Sequence, residues 1–160
     1  MITITMMKTT EEYQHVRELW EKEWGGSQMI VRNQSYDLMA HQTLIATMGT
    51  TFVGACNIAI TGVYLEILAL QACHKYAGIG TALLKEVETI GRTQGIREIH
   101  LITSNDNLNA IRFYQRRGFR FLTLYPNAID EARKKKPTIP RIGNYQIPIH
   151  DEIEFYKILQ

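Results

Sequence analysis

One stretch of the sequence, residues 65–84, constrains the possible fold more than any other. An apolar, β-rich run is followed by a turn that carries Gly78 and Gly80, and then by an amphipathic helix predicted to end near Thr93. A strand that leads through such a turn into a helix brings unpaired backbone N–H groups and the positive end of the helix dipole together. This arrangement binds anions, and the missing Cβ of glycine lets a phosphate approach the backbone.

The glycine spacing by itself leaves two interpretations open, an anion-binding turn and a tight turn with close helix packing. Two common phosphate loops fit poorly. A P-loop would end in Gly-Lys-Ser/Thr, and a dinucleotide-binding fingerprint would need a third glycine where Leu83 stands. The hydroxyl of Thr81 offers one more donor beside the turn.

The hydrophobic pattern along the rest of the chain predicts an α/β (α+β) protein with one domain, residues 1–160. Residues 25–41 have no firm periodicity, so a loop with a short helix is expected there. Three β-rich runs joined by tight turns predict an antiparallel meander over residues 43–48, 52–61 and 63–71. The other predicted elements are strands near 1–7, 96–103, 119–125 and 152–159, and helices after residue 12 and over 78–93, 108–117 and 126–136.

Composition narrows the class of protein further. The 160 residues are 45% hydrophobic, which suits one substantial core, and 18 basic against 16 acidic residues give a net charge of +2. This balance disfavours a dedicated nucleic-acid binder and suits a small polyanionic ligand. No signal peptide and no membrane-spanning run of about 20 apolar residues is apparent, so a cytoplasmic protein without a membrane partner is expected. Cys56 and Cys73 lack the spacing of a zinc site, so no metal is expected.

Two ordered motifs make the interpretation specific. The segment Lys75-Tyr76-Ala77-Gly78-Ile79-Gly80 resembles the central motif of the GNAT superfamily of N-acetyltransferases, Gln/Arg-x-x-Gly-x-Gly/Ala, with Lys75 in place of the usual Gln or Arg. Downstream, residues 107–119 resemble the family's Asn-x-x-Ala-x-x-x-Tyr-x-x-x-Gly-Phe. The chain therefore resembles an acetyl-CoA-dependent N-acetyltransferase.

This resemblance implies a mixed central sheet of about seven strands flanked by helices, with acetyl-CoA as co-substrate in a V-shaped opening between the strands near 63–71 and 97–103. The pyrophosphate would meet backbone amides of the glycine turn, and the pantetheine would pair with the preceding strand. The cofactor-binding residues implied in this way are Leu68, Ala69, Leu70, Lys75, Tyr76, Ala77, Gly78, Ile79, Gly80, Thr81, Asn107 and Ala110.

Acetylation of an amine calls for a base and an acid on either side of the thioester. Tyr114 matches the family's usual general-acid position, although a tyrosine on an apolar helix face also fits a plain core position. Glu66 interrupts an apolar strand, which makes it the candidate base. By resemblance to GNAT members that have a Glu on this strand, it would act through water. A solvated strand edge or a structural hydrogen bond are the alternatives for Glu66.

The acceptor is expected to be a primary amine of a small molecule or a protein. By resemblance, it would contact the first helix, residues 24–41 and the proline-rich loop, with Trp24 and Tyr36 as an aromatic wall. The basic run of residues 133–136 has four interpretations, namely contact with the 3′-phosphate of CoA, an acidic substrate, nucleic acid, or a solvated helix end.

Three functions compete on this sequence. The first is the acetyltransferase. Because many GNAT proteins form dimers, a homodimer is expected in that case. The second is an acyl-CoA-binding sensor without chemistry, which would need neither Tyr114 nor Glu66. The third is a nucleic-acid-binding module, which the near-neutral net charge disfavours.

Overall fold

The computed structural model describes residues 1–73 and 78–160. Its helices and strands follow the predicted order closely, with one additional hairpin. In chain order they are β1 Ile2–Met6, α1 Thr10–Trp24, β2 Gln28–Val31, β3 Gln34–Asp37, β4 Gln42–Met48, β5 Thr51–Thr61, β6 Tyr64–Ala72, α2 Ile79–Thr93, β7 Glu98–Ser104, α3 Leu108–Arg116, β8 Arg120–Tyr125, α4 Ala128–Lys135 and β9 Glu152–Ile158.

Seven of these strands form one mixed sheet in the order β1-β4-β5-β6-β7-β9-β8. The predicted meander is confirmed as β4, β5 and β6, which pair antiparallel. β6 and β7 are parallel, and their pairing ends at Ile67 and Leu101 although the strands continue to Ala72 and Ser104. A bulge at Leu68 shifts the register between β5 and β6 at the same level. An opening therefore begins between β6 and β7 where their pairing stops.

Helices cover both faces of this sheet. Along β4, Leu44 and Ala46 belong to the core cluster that contains the buried face of α2, whereas Ile45 belongs to the cluster that contains α1. Successive side chains of a strand point to opposite faces, so α1 and α2 lie on opposite sides of the sheet. The α2 cluster also holds Tyr114 of α3.

Local signals explain where the helices begin and end. Thr9 and Glu12 form a reciprocal capping box at the start of α1, and Gly25 ends it in the left-handed conformation. Asn107 caps α3, because its side-chain oxygen accepts a hydrogen bond from the amide of Ala110. Within the two described ranges, none of the helices has the length and apolar character needed to cross a membrane.

The prediction of a loop with a short helix for residues 25–41 was wrong in its main part. The structure has the hairpin β2–β3 there, followed by a single 3-10 turn, Leu38–Ala40. The two-residue turn is Arg32-Asn33, with φ of 48° and 60°. This turn type normally requires Asn-Gly or a similar pair, so the sequence lacked the usual signal. Ile30 and Val31 are buried, so tertiary packing stabilises the hairpin.

The basic run of residues 133–136 makes hydrogen bonds to backbone carbonyls elsewhere in the chain. Arg133, with its side chain 10% exposed, donates to the carbonyls of residues 139, 140 and 149 in the proline-rich loop. Lys135 donates to the carbonyl of Asn33 at 2.7 Å, and Lys136 donates to those of Trp24 and Gln28 at 2.6 Å. The interpretation as a solvated helix end therefore holds for Lys134, which is 71% exposed, and not for Arg133 and Lys136, whereas Lys135 is exposed but still donates to Asn33.

Candidate active site

The opening between β6 and β7 is the centre of the candidate site. Beyond Ile67 the β6 backbone has no pairing with β7, so its N–H and C=O groups on that side are available to another chain or ligand. An extended ligand can add to such an edge as a strand would. Leu68, Ala69 and Leu70, the residues implied for pantetheine, form this edge, and their contact with the ligand stays a prediction.

The start of α2 lies after the open end of β6. Gly78, at its N-cap, has a φ of 97° and no side-chain cap. A Cβ here would meet its first neighbour at 3.8 Å, so the backbone conformation rather than crowding requires glycine. The first amides of α2, including those of Ile79 and Gly80, are thus available to a phosphate, as the anion-binding interpretation requires.

Gly80 and Thr81 also take part in contacts between helices. A Cβ on Gly80 would come within 3.1 Å of the Phe113 ring, so close packing of α2 against α3 is a second reason for glycine. The hydroxyl of Thr81 accepts hydrogen bonds from Nε and Nη2 of Arg117, at 3.1 and 2.7 Å. Since the oxygen accepts both bonds, the hydroxyl hydrogen remains able to donate to a ligand.

Three of the implied cofactor-binding residues, Lys75, Tyr76 and Ala77, lie outside the described residues, and their role stays a prediction. Asn107 and Ala110 are joined by the cap of α3, at 3.2 Å. The cap interpretation of Asn107 is confirmed. Contact of either residue with the cofactor stays a prediction.

Tyr114 lies buried in the core cluster beneath β6 and β7. The rings of Phe113, Phe119 and Phe155 surround it, with centroids 5.0, 5.4 and 6.4 Å from its own. Burial raises the pKa of the Tyr114 phenol above its ordinary value, so the group keeps its proton at neutral pH. The ring is a core residue, and its hydroxyl is in the protonation state that an acid needs.

A cavity of about 310 Å³ opens on the other face of the sheet. It brings together two residues predicted from the sequence, Glu66 and Tyr36. Trp24 is not in its lining and packs edge-on against Trp20, with ring centroids 5.2 Å apart. The lining residues are Arg32, Tyr36, Ala59, Thr61, Tyr64, Glu66, His100 and Glu154.

Glu66 is held by the hairpin. Nη2 of Arg32 lies 2.9 and 2.6 Å from its two carboxylate oxygens, and Nη1 of Arg32 lies 3.6 Å from Glu154. One of the alternatives considered for Glu66, a structural hydrogen bond, is therefore present in this structure. Its role as a base stays a prediction.

Several charged residues of the site were missed by the sequence analysis. His100 lies between two carboxylates, with Nε2 2.7 Å from Glu98 and Nδ1 2.8 Å from Glu154. Tyr125 donates to the other oxygen of Glu154 at 2.6 Å. Glu152 is buried and accepts from the amide of Arg32 at 3.1 Å, and its burial raises its pKa above the usual range.

A signal for these residues exists in the sequence, because charged side chains alternate with apolar ones at positions 98 and 100 and at 152 and 154. That pattern places them on one face of β7 and of β9. It does not show that β7 and β9 are neighbours. In the described part of the chain, no group of three His, Cys, Asp or Glu side chains is arranged to hold a metal ion.

Comparison with known proteins identifies relatives along nearly the whole chain. The Bacillus subtilis (strain 168) protein YxbD is 38% identical over 148 residues, covering 91% of this chain and 92% of YxbD. YdhI of the same organism is 37% identical over 144 residues, covering 89% of each chain.

Solved structures share the fold at low sequence identity. The IAA acetyltransferase from Bacillus cereus ATCC 14579 superimposes with a TM-score of 0.74 at 17% identity, over 99% of this chain and 100% of that one. A Bacillus subtilis acetyltransferase in complex with CoA gives 0.73 at 15% identity over the full length of both chains. An Elizabethkingia anophelis GNAT acetyltransferase with acetyl-CoA bound gives 0.71 at 20% identity, covering 99% and 98%.

The match of a family model agrees with the motifs, the seven-stranded mixed sheet and these relatives. The model described as Acetyltransferase (GNAT) family matches residues 9–119, from the cap of α1 through the end of the second motif. The chain belongs to the GNAT family of acetyltransferases.

Proposed function

We propose that this protein transfers an acetyl group from acetyl-CoA to a primary amine of a small molecule or a protein. One observation carries the proposal. Leu65 and Ile67 of β6 point into the cluster that holds Tyr114, and Glu66, between them, points into the cavity on the opposite face. A protonated phenol and a carboxylate therefore lie on opposite sides of the sheet, and Glu66 lies one residue before the pairing of β6 with β7 ends.

The residues present fit acetyl-CoA. The amides of Gly78, Ile79, Gly80 and Thr81 would hold the pyrophosphate, and the free edge of β6 would hold the pantetheine. In the same proposal the remaining cofactor contacts come from Lys75, Tyr76, Ala77, Asn107 and Ala110, and the acceptor contacts come from Tyr36 and Trp24.

The proposed reaction transfers one proton from Tyr114 on one side of the sheet and one proton to Glu66 on the other. Acetyl-CoA supplies the acetyl group as a thioester. Tyr114 holds a proton on its phenol oxygen for the departing sulfur, and Glu66 accepts, through water, the proton that the amine nitrogen loses as its bond to carbon forms. Since burial favours the neutral phenol, Tyr114 begins the reaction in its acid form.

One observation favours the competing function, an acyl-CoA-binding sensor. Both oxygens of Glu66 are already bound by Arg32, as they would be in a protein that used this pair for structure alone. The two functions make different predictions about thiol release from acetyl-CoA.

A panel of primary amines separates these functions. It should contain alkylamines, linear diamines, amino acids and a lysine-bearing peptide, with thiol release followed in the presence of acetyl-CoA. The enzyme releases thiol at a rate that depends on at least one of these amines. A sensor is stabilised by acetyl-CoA against thermal unfolding but gives no amine-dependent release, and that result would reject the proposal.

A further inference from the structure

We propose that Arg32 is a positioning residue that keeps Glu66 paired while no acceptor is bound and transfers to Glu154 when an amine enters the cavity. The transfer frees Glu66 to accept the proton of the amine. This inference rests on the proposed function, and it adds to that function a group from the hairpin that the sequence did not indicate.

The guanidinium of Arg32 is shared unequally between two carboxylates. It makes two close contacts with Glu66, whereas its Nη1 is 3.6 Å from Glu154, beyond a hydrogen bond of ordinary length. If Nη1 moved less than 1 Å toward Glu154, the distance between them would shorten to about 2.8 Å, the length of a charge-assisted hydrogen bond. The side chains of Arg32 and Glu66 are 26% and 17% exposed, so the exchange takes place in a partly dry cavity.

The backbone that carries Arg32 is fixed on both sides of the turn. Its amide donates to Glu152 at 3.1 Å, and the carbonyl of Asn33 accepts from Lys135 at 2.7 Å. Glu152 is buried in β9 and Lys135 is on α4, so two separate elements hold the tip of the hairpin. The exchange therefore requires a movement of the side chain and not of the hairpin.

Glu66 needs such a release to act as a base. Both oxygens of Glu66 are bonded to the guanidinium, which fixes the orientation of the carboxylate, so movement of Arg32 lets the carboxylate turn toward the water that carries the proton of the amine. Glu154 can receive the guanidinium, since each carboxylate oxygen accepts two bonds and its bonds from His100 and Tyr125 use one on each oxygen.

The other ionisable groups around the pair come from every neighbouring element. They are Tyr36 of the hairpin, Tyr64 of β6, Glu98 and His100 of β7, Tyr125 of β8, and Glu152, Glu154 and Tyr156 of β9. The variants below change Arg32 itself or, of these groups, Glu154 alone, so that each response is assigned to one side chain.

The test is the pH dependence of kcat/KM with the amine of the panel that gives the fastest thiol release. Removing the positive charge in Arg32→Gln should raise the midpoint of the acid limb by about 1 pH unit or more, because loss of a nearby positive charge favours the neutral form of a carboxyl group. Arg32→Lys keeps the charge, and its midpoint should stay close to that of the parent protein. Glu154→Gln should lower the midpoint, since Arg32 then stays on Glu66 and a neighbouring negative charge is gone.

Arg92→Gln is the matched control. Arg92 is also an arginine in an ion pair, with Glu88 at 3.7 Å on α2, and this pair lies away from the cavity. Its acid limb should not move. If Arg32→Gln does not fold, Glu154→Gln still decides through kcat above the acid limb, which should fall when Arg32 has no carboxylate to receive it and should stay unchanged if the Arg32–Glu66 pair is static.

Two results would overturn the inference. If the parent protein is active but neither Arg32→Gln nor Glu154→Gln shifts the midpoint of its acid limb, Arg32 does not control Glu66. The acetyltransferase proposal then still stands. If the parent protein releases no thiol with any amine, both the proposed function and this inference fail.

Discussion

At the residue scale, Tyr114 shows how one side chain serves the core and the proposed chemistry together. Its ring packs among three phenylalanine rings, in the core cluster that also holds buried residues of β6 and β7. Burial raises the pKa of the phenol, so Tyr114 carries its proton before the thioester reacts.

Tyr114→Phe separates these two contributions. The change keeps the ring and removes only the hydroxyl, so the thermal unfolding temperature and the dissociation constant of acetyl-CoA should change little. The turnover number should fall by about 10²- to 10⁴-fold, the usual contribution of a general acid. Steady-state kinetics with isothermal titration of acetyl-CoA measure both quantities, and an unchanged turnover number would contradict the acid role.

At the scale of single elements, the short hairpin β2–β3 is stabilised by hydrogen bonds from helix α4, which is distant in the sequence. The hairpin has four residues in each strand, and α4 supplies Lys135 and Lys136 to carbonyls at its turn and beside its first strand. The same helix binds the proline-rich loop through Arg133. All members of the basic run except Lys134 thus donate to backbone carbonyls, most of which lie outside the strands.

Arg133→Met tests this interpretation of the basic run. Methionine has a similar length but leaves three backbone carbonyls and Asp130 without the guanidinium, so the free energy of unfolding should fall by about 2 kcal/mol or more. The matched control is Lys134→Met, which removes an exposed pair with Glu131 and should cost less than about 1 kcal/mol. Urea denaturation of both variants compares them directly, and equal losses would contradict the role of Arg133.

At the scale of the whole molecule, the sheet between the two helical layers is interrupted where β6 and β7 stop pairing. The α1 and α2 layers bury both faces of the central strands, whereas the paired segment of β6 and β7 covers only four residues of each. The proposed cofactor would fill the part of this interruption that lies beyond Ile67. The homodimer suggested by the family resemblance stays a prediction.

Binding of acetyl-CoA across this opening should stabilise the folded protein. At a free concentration 100 times the dissociation constant, the gain is about 2.7 kcal/mol, which for a chain of this size raises the unfolding temperature by about 5 to 10 °C. Differential scanning fluorimetry measures the shift, with an equal concentration of sodium acetate as the control. No shift at saturating acetyl-CoA would contradict the assigned cofactor site.

Much of this organisation could be predicted from the sequence because its signals are local. Alternation and helical periodicity predicted the meander, α2, α3 and the last strand, and the cap chemistry of Asn107 predicted the start of α3. The hairpin could not be predicted, since its Arg32-Asn33 turn has no glycine and its stability comes from β9 and α4.

The sequence by itself determined β6, the helix that starts after Gly78, the second motif and the position of Tyr114, because each of these depends on residues close together in the chain. The tertiary structure decided the surroundings of Glu66. Arg32 is 34 residues from Glu66, and its amide meets Glu152 at a separation of 120 residues. No local pattern specifies such contacts, since they exist only once the sheet has placed β6, β7 and β9 side by side and the hairpin has folded over them.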